Sequence, residues 1–263
     1  VTAPATPPDA ATAWYVYGIV PADTPDELFE AVRGVSGSPV AVLRTRDVGA
    51  VLGRVPLSQF DGDALAENLR DAAWLEAGVR AHDAVLEAAL GAGGVVPFRF
   101  GTVYRSDEHV RSMLGAERML VGALERVRGR IELGVKGYLA APAPPPPSAG
   151  GGEQSPGRRY LEERQRERRA AEDEEARRAR TADEVHARLA ALADDARANP
   201  LQPAEASGRA EPMFLNAAYL VARDHEDEFR QAVADVGDGF GADGVSLELT
   251  GPWPPYNFVE VER

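Results

Sequence analysis

The chain has 263 residues, 44% of them hydrophobic and 27% charged, enough sequence for two domains and a composition typical of globular proteins. Its 29 Lys and Arg against 42 Asp and Glu leave a net charge of −13, a field that repels phosphate backbones and anionic lipid, so neither nucleic acid nor membrane is an expected partner. With no cysteine, disulfides, thiol catalysis and thiolate metal sites are excluded together, and without a signal-like start or an apolar run of about 18 residues the expected location is cytoplasmic.

Residues 1–12 read as a disordered lead-in. "WYVYGIVP", Trp14 to Pro21, is rich in aromatic and β-branched residues and stops at a proline, as a buried strand does. "PVAVLRT" and "VGAVLGRVP" repeat the signature on either side of Arg46 and Asp47, a hairpin-like pair. The period then changes: Leu65, Leu69, Ala72, Val79, His82 and Leu86 fall at helical spacings, with Asp61 or Asp63 as cap and "GAGG" as the stop. "VVPFRFGTVY" returns to strand, with Val96, Phe98 and Phe100 on one face and Arg99 on the other. "SDEHVRSMLGAERMLVGALERV" predicts a helix capped by Ser106, its first turn carrying Asp107 and Glu108 where the helix dipole favours negative charge. "RIELGVKGYLA" is the next strand.

Residues 141–157, "APAPPPPSAGGGEQSPG", cannot bury enough apolar surface to offset their ordering entropy and read as a mobile loop. A long charged helix is expected over 158–198, with Glu162 and Arg166, Asp173 and Arg177, and Glu174 and Arg178 spaced four apart. Only its second half, with Val185, Leu189, Leu192 and Ala196, offers an apolar stripe; the first half is expected to project. Strand, helix and strand follow in "MFLNAAYLVAR", "DHEDEFRQAVADVG" and "VSLELTG", with "DGFGADG" as a glycine-rich turn. The pattern predicts an α+β protein of two domains: an N-terminal α/β mixed-sheet domain over 13–127, and a C-terminal ferredoxin-like, split βαβ domain over 128–263.

Candidate chemistry is sparse. None of His82, His109, His186 and His225 lies at metal-binding spacing from another, and each reads as a helix-surface residue. His82 beside Asp83 could form half of an acid–base pair, but no nucleophile stands near it in sequence. "GVSGS" only approximates a nucleophile elbow around Ser36, because the second glycine follows the serine directly. "DVGDGFGADG" has Phe240 where a calcium loop opening at Asp238 needs an oxygen ligand. No catalytic residue, metal or cofactor is therefore expected.

The combination of "WYVYGIVP", "VVPFRFGTVYRSDEHVRSML", "RIELGVKGYL", "YLEERQRER" and the terminal "GPWPPYNFV" resembles the gas vesicle protein F and L family (GvpF/GvpL) over nearly the whole chain. The resemblance implies a minor, non-enzymatic component of gas vesicles. Its implied partners are the small hydrophobic shell protein (GvpA-like), bound at nucleation and kept from aggregating, and other gas vesicle accessory proteins. It also implies a ferredoxin-like second domain, a C-terminal tail and a location at the gas vesicle. A small-molecule-sensing ferredoxin-like module is the alternative, on fold analogy alone.

The tail, residues 251–263, continues the last strand, and Pro252, Pro254 and Pro255 force an extended path that cannot add to a sheet ladder. Trp253, Tyr256 and Phe258 are expected to fold back over an apolar surface, either as a clamp on the protein itself or as a dock for a partner. Arg99 and Phe100 join them as candidate anchors.

Overall fold

The computed structural model describes residues 11–140, 156–204, 208–209 and 211–259, so the expected lead-in, except Ala11 and Thr12, and almost all of the expected proline-rich loop lie outside the described residues. The protein is a mixed α+β chain with two antiparallel sheets. It divides into two compact units, one of residues 1–132 with 252–263 and one of 133–251. The sequence reading set residues 252–263 with the second domain; by their contacts they group with the first unit.

In the first unit, β1 (Thr12–Pro21) lies between β3 (Val48–Pro56) and the two-residue strand β4 (Val96–Pro97), and β3 in turn pairs with β2 (Val40–Arg44). A second two-residue strand, β5 (Val103–Tyr104), also pairs with β1. Every one of these pairings is antiparallel, which corrects the expected mixed sheet: β2 and β3 form a hairpin, and among the described residues no helical crossover returns a strand parallel to its neighbour.

Both faces of this sheet are covered. Ala13, Tyr15, Tyr17 and Val20 of β1 face one core, whereas Val16 and Ile19 face the other. The break in alternation is a β-bulge: Val16 opposes Leu52 and Gly18 opposes Val51, leaving Tyr17 as the extra residue. Gly18 is required there, because a Cβ on it would stand 2.6 Å from the Val96 carbonyl oxygen. The first core is closed by α1 (Leu57–Phe60), α2 (Gly62–Asn68) and α3 (Ala72–Leu90), which supply Phe60, Val85, Leu86 and Ala89. The expected single helix is thus three. Asp61 caps α2 through the Gly62 N–H, and Asp71 caps α3 through the N–H groups of Ala73 and Trp74. The second core is closed by α4 (Asp107–Leu114) and α5 (Glu117–Val127), through Val110, Leu114, Leu120, Leu124 and Val127. Ser106 caps α4 as expected, accepting from the His109 N–H.

The second unit holds a sheet ordered β7-β8-β6-β9, built from β6 (Arg130–Leu139), β7 (Asp195–Ala198), β8 (Met213–Ala222) and β9 (Val245–Trp253). Helix α6 (Pro156–Ala190) links β6 to β7, and α7 (Glu226–Phe240) links β8 to β9. Tyr219 of β8 lies between His186 of α6 and Phe229 of α7, at ring-centroid distances of 5.6 and 5.2 Å, so both helices cover the same face. The expected helix over 158–198 is corrected at its end. Residues 195–198 instead pair with Ala217–Leu220 of β8, and four ladder positions outweigh the helix preference of an alanine-rich stretch. Val185 and Leu189 are buried as the stripe requires, but Leu192 lies beyond the helix and is exposed. Helix α7 runs through Asp238 and Gly239, so the glycine-rich turn is confined to Gly241–Gly244, where left-handed Gly244 (φ 80°) turns the chain into β9.

Candidate interaction site

"VVPFRFGTVY" is not one strand. Between β4 and β5 the chain leaves the ladder, although the Phe98 N–H still donates to the Tyr17 carbonyl (2.8 Å) and the Val16 N–H to the Thr102 carbonyl (3.0 Å). The loop sends its two aromatics to different cores, Phe98 to the α4–α5 side and Phe100 to the α1–α3 side, which corrects the shared face expected from alternation. Gly101, at φ 83°, supplies the positive φ that lets its N–H donate to Tyr15 Oη at 3.0 Å.

Phe100 joins an aromatic cluster with Tyr15, Phe60, Trp74 and His82, its ring 5.9 Å from the imidazole and 6.0 Å from Trp74. His82 is 1% exposed, which corrects the reading of it as a helix-surface residue: α3 packs on β1 by the very turn that carries it. Its Nδ1 lies 2.9 Å from Tyr15 Oη, and its Nε2 lies 3.0 Å from Tyr256 Oη of the tail. Burial holds the imidazole down to about 4, and the Phe98 carbonyl, which favours the protonated ring, only partly offsets this. The ring is therefore neutral near pH 7, with one donor and one acceptor nitrogen. Tyr15 Oη accepts from Gly101 and faces Nδ1, and Tyr256 Oη faces Nε2, so each ring nitrogen meets a phenol that can donate or accept. Burial raises both phenols above their ordinary range, keeping them protonated.

One residue further along the tail, Asn257 makes a second attachment. Its backbone N–H donates to Glu132 Oε2 at 2.9 Å and its side-chain amide to Oε1 at 2.6 Å. Glu132 is 6% exposed, and burial raises its pKa while the two Asn257 donors pull it down. Phe258 follows, 1% exposed, and Val259 packs against the α4–α5 core. Together the segment Pro254–Val259 is seated by a phenol, an amide and an aromatic ring in succession.

Of the five expected anchors, the structure thus brings Phe100 and Tyr256 to His82, and Phe258 is buried in the same unit. Arg99 is exposed on the loop, and Trp253 stands 45% exposed at the end of β9. Glu132 and Asn257 were missed because 125 residues separate them. One signal was available: Glu132 interrupts "RIELGV" where Ile131 and Leu133 on both sides are buried, a carboxylate in a strand without alternation. Ser36 sits at φ 59° and donates to Gln59 Oε1 at 3.1 Å, so its hydroxyl faces an amide and not a base. Among the described residues no cluster of three metal-ligating side chains occurs, and no described helix is long and apolar enough to cross a membrane.

A family model described as gas vesicle synthesis protein GvpL/GvpF matches residues 13–260. Gas vesicle protein L of Streptomyces sp. (strain CB03234) is 38% identical over 253 residues, covering 94% of this chain and 92% of that protein. Gas vesicle protein F of Haloferax mediterranei is 27% identical over 252 residues, covering 94% and 93%. Among solved structures, GvpF from Anabaena sp. PCC7120 superposes with a TM-score of 0.69 at 20% identity, over 96% of this chain and 98% of that one. GvpF from Microcystis aeruginosa gives 0.66 at 20% identity, over 95% and 99%. These structures share the fold, and the family match with the Streptomyces relative settles kinship: the chain belongs to the GvpL/GvpF family of gas vesicle synthesis proteins.

Proposed function

We propose that the protein is a non-enzymatic assembly factor of the gas vesicle, acting in the cytoplasm and at the vesicle, that binds the hydrophobic shell protein at nucleation and limits its aggregation. The observation that carries this reading is the family match over residues 13–260. A net charge of −13 supports it physically: an acidic, self-repelling binder can cover an apolar subunit without joining its aggregates. Arg99 and Trp253, both exposed, are the partner anchors in this reading, whereas Phe100, Tyr256 and Phe258 serve the tail clamp. Other gas vesicle accessory proteins are further partners. The strand–helix–strand–strand–helix–strand order of the second unit, with β7 and β9 at the sheet edges, supports reading it as a ferredoxin-like split βαβ module. A pull-down of the shell subunit by the full chain tests the function. Capture is expected, weakened by Trp253→Ala or Arg99→Ala; no capture, with vesicles forming normally in cells lacking the protein, would sink it.

A further inference from the structure

The seat of the tail meets three successive tail residues with a matched group each. His82 Nε2 and the Glu132 carboxylate are buried groups of the first unit that bond to tail side chains, and Phe258 is buried directly after them. Any segment taking this seat has to present a phenol, then an amide, then an aromatic ring, or it strands two buried polar groups. The order Tyr-Asn-Phe occurs once in the 263 residues, at 256–258, so each copy carries one seat and one segment that fits it. The segment itself is locally folded. Residues 254–259 belong to no strand, and two local bonds, Tyr256 N–H to the Pro254 carbonyl and Phe258 N–H to the Pro255 carbonyl, fold it on itself. Gly251, at φ 105°, and Pro252 precede it at the end of β9, where the backbone turns from the strand toward the segment.

We propose that the seat formed by His82 and Glu132 also accepts the Tyr256–Phe258 segment of a second copy, so that two chains associate by exchanging tails. The inference is independent of shell binding. Because each copy carries −13, exchange is favoured when salt screens the approach. The test mixes isotopically light and heavy full-length wild-type chains at high concentration and moderate salt, warms them below unfolding, and counts mixed dimers by native mass spectrometry. Mixed dimers are expected. An excess of a synthetic peptide of residues 252–259 should compete them away from the wild-type chain. Monomers alone at every concentration, or dimers that persist in the presence of the peptide, would overturn the proposal.

Discussion

His82 carries the most readable single-residue consequence. Its pKa is about 4 in the folded chain against about 6.5 unfolded, so the unfolded state takes up the proton first as pH falls. The stability it contributes is therefore complete above pH 6.5 and is lost as pH falls toward 4, by about 3 kcal/mol in all. Glu132 and Asp83, raised by burial, work in the opposite sense, because their folded forms take up protons before the unfolded ones. Urea unfolding of wild type and His82→Gln at pH 7 and pH 4.5 separates the terms; the variant should lose less stability on acidification, and equal losses would contradict the assignment. At Glu132 we expect an asymmetry. Asn257→Ala leaves the buried carboxylate with only the backbone donor and should cost about 1.5–3 kcal/mol. Glu132→Gln removes the charge while keeping an acceptor, and should change stability at pH 7 by less than about 1 kcal/mol. Denaturation midpoints of the two variants decide it.

At the scale of elements, two glycines should respond oppositely to the same methyl group. Gly18→Ala drives a Cβ against the Val96 carbonyl oxygen in the bulge of β1 and should cost about 2 kcal/mol or more. Gly122→Ala lies in α5 with open space around it and should stabilise by about 0.5–1 kcal/mol. Thermal melts of the pair check this. The strands legible in the sequence are those that carry their own signal: β1, β2, β3, β6 and β8 are runs of β-branched and aromatic residues, and so are most of the helices by their period. What was not legible depends on partners far along the chain. β7 is "DARA", with no strand preference of its own, and exists because β8 offers it a ladder. The split of "PFRFGT" between two cores follows from a sheet covered on both faces, which alternation in one segment cannot reveal. At the candidate site, Tyr256 and Phe258 stood out by composition, whereas Glu132 gains its meaning only from Asn257.

For the whole molecule, the tail has become part of the first unit, and its loss should be felt as loss of a core element. Phe258→Ala alone is expected to lower stability by about 3–5 kcal/mol, as for other buried aromatics, read from urea unfolding of the full chain. A change below about 1 kcal/mol would mean that the ring closes no core. The family and the mixed α+β architecture were both legible before the structure, because the motifs that carry them are spread along nearly the whole chain. The residues that would contact a partner were not, because a binding surface needs a few anchors and no catalytic constellation. The most direct measurement of the central claim is sedimentation of purified shell subunit, diluted from denaturant with and without equimolar full-length protein. Shell subunit held in the supernatant in a complex with the protein is the expected result; shell subunit that pellets equally in both cases, with the acidic protein left free above it, would contradict the account.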